Sequence, residues 1–233
     1  VGRALASGGS TPPDARTWRG ATAGTAARAA VLFVVGLILG SFDSGLAVIL
    51  SYYGVLFLVA IPFLRLRSGW LLGLGVASAL VTPILSQWLR QTITTPLDSG
   101  VPSVETLVLD PAGTASSILL TGYYPVLTWT AYLLVGLGIG RLALGRVRVA
   151  ATVSVVGAGV AAATWFGSRA WIDGGGLSVL REAGLGGHVA SGPIGEDLLH
   201  TGFYGTTPTT SWAWLGIASP HSGAPPDLLH TIG

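Results

Sequence analysis

The segment Pro220-His221-Ser222-Gly223-Ala224-Pro225-Pro226-Asp227-Leu228-Leu229-His230-Thr231 carries the chain's most reactive set of side chains. Pro225 or Pro226 suits the first turn of a helix, because a missing N–H costs nothing there. Asp227 then falls in that turn, where the helix dipole favours an anion. His230 follows three residues later on the same face. A carboxylate beside an imidazole fixes its tautomer and stabilises its protonated form, which is what general acid–base work near neutral pH requires. His230, Asp227 and His221 are therefore the candidate catalytic residues. The plainer reading of the same residues is a helix-capping acid and an interfacial histidine. The run Asp197-Leu198-Leu199-His200-Thr201 repeats as Asp227-Leu228-Leu229-His230-Thr231, either by chance or as two Asp/His helix starts facing one site. The histidines lack the tight H-x-x-x-H or H-E-x-x-H spacing of a zinc site, so no metal is expected.

Aromatic residues supply candidate binding surfaces. Tyr123, Tyr124, Trp129 and Tyr132 cluster within ten positions, and Trp212 and Trp214 lie in the later loop. Each group reads in two ways, as an interfacial aromatic belt or as a stacking wall for a sugar ring. Tyr52 and Tyr53 sit deeper in an apolar run and should face the interior, where their hydroxyls find partners. Arg141, Arg146 and Arg148 form the densest basic cluster. Such arginines set membrane topology, and they can also anchor the phosphates of a donor. Gly136, Gly138 and Gly140 spell G-x-G-x-G without the strand and βαβ unit that a dinucleotide site needs, so close helix packing is the expected role.

The elements that position these residues must live in lipid. Half of the 233 residues are hydrophobic and 9% are charged, against about 25% charged in soluble domains. Five stretches meet the rule of about 20 apolar residues per span: Gly24–Phe42, Leu46–Leu64, Gly69–Leu89, one within Ala115–Gly140, and Val149–Ser168. The expected fold is an all-α, polytopic transmembrane helical bundle. Residues 1–23 form an N-terminal cytoplasmic segment, and 24–168 carry the five spans, with a loop at 90–113. Residues 169–226 form a long extracytoplasmic loop holding His188, His200 and His221, and 227–233 begin a further span. With the N-terminus inside, nine of the twelve basic residues, all arginine, fall on the cytoplasmic side, as the positive-inside rule requires. The loop's aromatic and apolar content (Phe203, Tyr204, Trp212, Trp214) predicts that it packs on the outer face. The chain has no cysteine and no methionine, even at position 1, and both ends read as cut from a longer protein. A formal charge of +2 with no basic run argues against nucleic-acid binding.

Thr121-Gly122-Tyr123-Tyr124-Pro125-Val126-Leu127-Thr128-Trp129 with Gly136 to Arg141, Tyr52-Tyr53-Gly54-Val55-Leu56-Phe57-Leu58, and the Pro220–Gly233 segment ending His-Thr-Ile-Gly together resemble bacterial (actinobacterial) relatives of heparan-α-glucosaminide N-acetyltransferase. The resemblance runs from about Ala30 to the end. It implies a multi-pass cell-membrane acyltransferase that takes an acetyl group from acetyl-CoA and passes it to a sugar of a cell-envelope glycan or glycolipid. The catalytic histidine of that family belongs to an N-terminal helix region preceding Val1, so His221, His230 and Asp227 rest on their own chemistry. On this reading Tyr123, Tyr124, Trp129, Trp212 and Trp214 hold the acceptor and the three arginines hold the donor's phosphates. The partners are the bilayer and the acceptor, with self-association open. A transporter and a non-enzymatic membrane scaffold are the alternatives; four uncharged spans argue against ion-coupled transport.

Overall fold

A computed structural model describes residues 15–42, 47–92, 101–186, 188–189, 192–193 and 195–233. Arg3, Asp14 and residues 93–100 of the expected loop at 90–113 lie outside these residues, as does the side chain of His188. The chain is helical: α1 (Ala15–Gly40), α2 (Leu50–Phe63), α3 (Ser68–Thr92), α4 (Val104–Leu109), α5 (Pro111–Ser116), a π-helical turn (Ser117–Thr121), α6 (Val126–Ile139), α7 (Val147–Trp171), a second π-turn (Ile172–Gly176), α8 (Leu177–Glu182), α9 (Leu198–Thr201), a 3-10 turn (Trp212–Gly216) and α10 (Pro225–Ile232). His188–Val189 pairs antiparallel with Gly192–Pro193, the one ladder among the described residues.

Three helical stretches are long and apolar enough to cross a membrane: Trp18–Gly40, Ser68–Thr92 and Val147–Glu182. Pro111–Thr121 and Val126–Ile139, bent by 48° at the break, bring the number to four when counted as one broken span. Two of the five expected spans thus take another form. The Leu46–Leu64 stretch yields a helix of 14 residues, about 21 Å long, short of a hydrocarbon core of about 30 Å. The fourth is broken because Gly122 leaves the π-turn extended (ψ −171°) and Pro125 cannot continue a helix. The fifth outruns its expected end and turns at Gly175, whose φ of 116° suits glycine.

The bundle closes where glycines let backbones meet. A Cβ at Gly54 would lie 2.7 Å from Phe33 Cβ and 2.8 Å from the Ala29 carbonyl, so α1 and α2 touch directly. Gly75 and Gly138 do the same for α3 and α6, against Val135 and Leu72. Of the G-x-G-x-G residues, only Gly138 abuts a neighbouring helix; Gly136 faces open space. Helix α7 lies at the edge with none of its apolar window buried, packed along α10. Large apolar side chains such as Val31, Val155 and Phe166 stand more than half exposed on the long helices, as lipid-facing residues do.

The two ends of the bundle differ. At one, Arg65 stacks on Trp18 with 4.2 Å to the ring centroid, and Arg141 Nη2 donates to the Leu64 carbonyl at 2.8 Å. At the other, the loop after α8 folds on a core of its own: Leu180, Leu185, Phe203, Trp214, Ile217 and Ala224. Its strap at 207–211 is fastened to the end of α3. Arg90 Nη1 donates to the Thr207 carbonyl at 2.6 Å, and Gln87 Nε2 donates to Pro208 and Ser211 carbonyls at 3.2 Å each. Arg181 and Glu196 form the one ion pair among the described residues, at 2.7 Å on the exposed surface.

Gly54→Val should destabilise the protein by about 1–3 kcal/mol through overpacking at the α1–α2 contact. Gly136→Ala should leave stability unchanged or raise it by about 0.5–1 kcal/mol, because the site is open and glycine is a poor helix former. Denaturant unfolding in detergent measures both; equal effects would show that the contact is not close.

Candidate active site

Helix α10 starts at the loop end because Pro225 and Pro226 occupy its first turn and Ala224, extended at ψ 157°, stands before it. Asp227 is buried, at 4% exposure. Its Oδ2 accepts the Gly223 N–H at 3.0 Å and its Oδ1 accepts the Thr231 hydroxyl at 3.5 Å. The Ser222 side chain also hydrogen-bonds to it, and His221 is near enough to act on it electrostatically. Tyr132 of α6 lies on the other side, hydrogen-bonded to Thr231 and within electrostatic range of the carboxylate. Among the described residues no arginine pairs with Asp227, whose partners are backbone and hydroxyl dipoles and the His221 imidazole.

The expected orientation of His230 by Asp227 is not the arrangement found. Three residues apart, the two side chains leave α10 on adjoining faces, and different neighbours claim them. His230 turns to α7: its Nδ1 lies 3.1 Å from the Ala161 carbonyl, and its ring packs on Trp165 at 5.3 Å. A carbonyl only accepts, so Nδ1 is the donor in that contact. The His200 Nδ1 accepts from Arg169 Nη2 at 3.2 Å, and that guanidinium lies 5.1 Å over the same Trp165 ring. The histidines of the two Asp-Leu-Leu-His-Thr runs thus both border Trp165, His200 through Arg169, while Asp227 faces the turn before α10.

The imidazole that does share a neighbourhood with Asp227 is that of His221. It is exposed on the turn before α10 and takes φ 54°, the one positive value among the described non-glycine residues. The strain is fixed by its backbone partners. The Gly205 N–H donates to the His221 carbonyl at 2.9 Å, and the Phe203 N–H donates to the Pro220 carbonyl at 2.8 Å. Strained residues held by surrounding structure concentrate at functional sites. The His221 ring lies 6.3 Å from Tyr124.

Tyr124 is the hub of an aromatic cluster. It meets Trp129 at 4.9 Å, Tyr52 at 5.5 Å and Tyr123 at 6.1 Å; Trp129 meets Tyr132 at 5.2 Å, and Tyr123 meets Tyr204 at 5.3 Å. Several are edge-to-face contacts, which aromatic quadrupoles favour. The break at 122–125 places Tyr123 and Tyr124 there, with the Tyr52 hydroxyl against Gly122. The tyrosines and tryptophan expected to bind substrate thus join the Asp227–His221 neighbourhood. Trp214 does not: it is wholly buried in the loop core against Phe203, its Nε1 donating to the Thr210 hydroxyl at 3.0 Å. Trp212 is half exposed and makes no ring contact with the cluster.

Arg141, Arg146 and Arg148 collect at the opposite end. Burial against the bundle lowers the Arg141 pKa from its ordinary value, and its guanidinium holds the end of α2. Arg146 and Arg148 are exposed at the start of α7, which has no acid in its first turn. The length of α6, about 21 Å, separates them from Tyr124. Two groups are visible only in three dimensions. One is Tyr204, brought to Tyr123 from 81 residues away; its signal in the sequence is the bracketing pair Gly202 and Gly205. The other is Arg90, a buried cation satisfied by Ser86, Gln87 and the Thr207 carbonyl.

Asp227→Ala leaves the Gly223 N–H unpaired and should cost about 1–3 kcal/mol of stability. His221→Gly removes a side chain that disfavours positive φ and should raise stability by about 1 kcal/mol. Thermal or chemical unfolding reads both signs; a His221→Gly protein that melts lower than wild type would refute the strain assignment. No known protein family, curated protein or solved structure matches this chain.

Proposed function

We propose that the chain is part of a multi-pass membrane acyltransferase that moves an acetyl group from acetyl-CoA to a sugar of a cell-envelope glycan or glycolipid. The observation that supports this most is the meeting of a buried carboxylate, an exposed strained imidazole and an aromatic cluster at one end of an apolar bundle. The resemblance to bacterial relatives of heparan-α-glucosaminide N-acetyltransferase gives the reading its direction. On this reading the N-terminus is cytoplasmic, the histidine-bearing loop is extracytoplasmic, and α2 counts as a fifth, short span.

The chemistry follows from the side chains. His221 takes the proton from the acceptor's hydroxyl or amine as that atom bonds to the thioester carbonyl carbon. Asp227 stabilises the resulting imidazolium through space. The C–S bond then breaks, and the imidazolium returns its proton to the leaving thiolate. Tyr123, Tyr124 and Trp129 flank the acceptor. Arg141, Arg146 and Arg148 hold the donor's phosphates, so the acyl arm must run along α6 to reach the base. His230, committed to Ala161, serves as a packing residue against α7.

Transport is the second reading, favoured by the broken helix at 122–125, since discontinuous helices line many substrate paths. Acetyl transfer from labelled acetyl-CoA, in sealed vesicles of the full-length protein, separates the two. The acyltransferase reading expects label on a glycan or glycolipid acceptor, reduced about 10²- to 10⁴-fold by His221→Ala and far less by His230→Ala. An unchanged rate in His221→Ala overturns the site assignment. Substrate flux without any acyl donor would support transport.

A further inference from the structure

Tyr204 stands at the rim of the candidate site, and nothing in the chemistry above uses it. It is 68% exposed, although the residue before it, Phe203, is buried in the loop core. The alternation has a backbone cause. Residues 203–205 run beside 220–221, joined by the Phe203 N–H to the Pro220 carbonyl and the Gly205 N–H to the His221 carbonyl. These two bonds fix the backbone on either side of Tyr204. Phe203 turns into the core and Tyr204 turns out.

The presentation is rigid. Gly202 (φ 104°) and Gly205 (φ 98°) bracket the pair in conformations that favour glycine. A Cβ at Gly202 would press on the Pro220 carbonyl at 2.7 Å, and one at Gly205 would collide with the Gly122 carbonyl. The loop is thus seated against the break between the π-turn and α6. There the Tyr204 ring meets Tyr123 edge-to-face at 5.3 Å and 80°. Tyr204, Tyr123, Tyr124 and His221 form a line of successive ring contacts.

We propose that Tyr204 is a binding platform for a pyranose ring of the acceptor, stacking one C–H face of the sugar so that a hydroxyl or amine reaches His221. The inference rests on the acyltransferase reading for the direction of the sugar but not for its binding. A tyrosine supplies both parts of such a contact, an apolar face and a phenol that donates or accepts at the ring's edge. The ring is held by its contact with Tyr123 and by the backbone bonds on either side, so little conformational entropy is lost on binding. Tyr204 touches no reacting atom and is a binding residue, with its effect confined to acceptor affinity.

The test uses the full-length protein in nanodiscs and methyl β-D-glucosaminide as the probe. In saturation-transfer NMR on wild type, irradiating the aromatic ring region should saturate the sugar's ring C–H protons. Tyr204→Ala should abolish that transfer, and Tyr204→Phe should retain most of it. Where acetyl transfer is measurable, Tyr204→Ala should raise KM for the acceptor about fivefold to tenfold with kcat unchanged. Because the side chain is exposed, the variant should melt with wild type. Absence of saturation transfer in wild type overturns the platform, as does transfer unaltered in Tyr204→Ala. Loss of binding in Tyr204→Ala together with no acetyl transfer by wild type would uphold the platform and refute the acyltransferase reading.

Discussion

Charge is excluded from the middle of α3, α6 and α7, and that exclusion sorts the chemistry of this protein to its two ends. No charged residue occurs between Arg67 and Arg90, between Asp110 and Arg141, or between Arg148 and Arg169. A bare charge in a hydrocarbon setting costs several kcal/mol, so ionisable groups collect where water, dipoles or loops can meet them. Arg141, Arg146 and Arg148 gather at the turn between α6 and α7. Asp227 and His221 gather under the loop at the opposite end. Any reaction joining the two ends must work along the axis of α6.

The loop end is built by polar clasps between the loop and the bundle. Arg90 and Gln87 donate to carbonyls of the 207–211 strap, and Ser168 Oγ donates to the Gly216 carbonyl while accepting from the Ala218 N–H. Beneath these lies a second core around Trp214. The loop thereby acts as a lid of fixed shape. It forces His221 into positive φ and seats Gly205 on the break at Gly122. Asp227 then locks the turn from below by accepting the Gly223 N–H. Each of these bonds joins residues the bundle alone would leave apart.

Composition and charge placement made the helical, membrane-type architecture legible. Uncharged runs gave α3 and α7 to within a few residues; α1 begins at Ala15, ahead of the expected Gly24, and α6 departs where local chemistry intervened. Pro125 and Gly122 broke one run, and the 14-residue length of α2 follows from a helix start at Leu50 that hydropathy alone does not mark. The site was legible as a neighbourhood and not as a geometry. Spacing placed Asp227 and His230 on one side of α10, but tertiary partners decided the outcome: Ala161 took His230, while Ser222 and Gly223 took Asp227. Trp214 reads like an interfacial aromatic in sequence and is a core residue, because the loop has an interior of its own. Tyr204 and Arg90 act across long separations that no local pattern encodes.

The most direct test of the account is the sidedness of its two ends. The chain has no cysteine, so single cysteines report cleanly. His221→Cys and Arg146→Cys, each exposed, should react with a membrane-impermeant maleimide from opposite sides of sealed, oriented vesicles. Labelling of both from the same side would contradict a bundle that carries its imidazole and its arginines to opposite faces of a membrane.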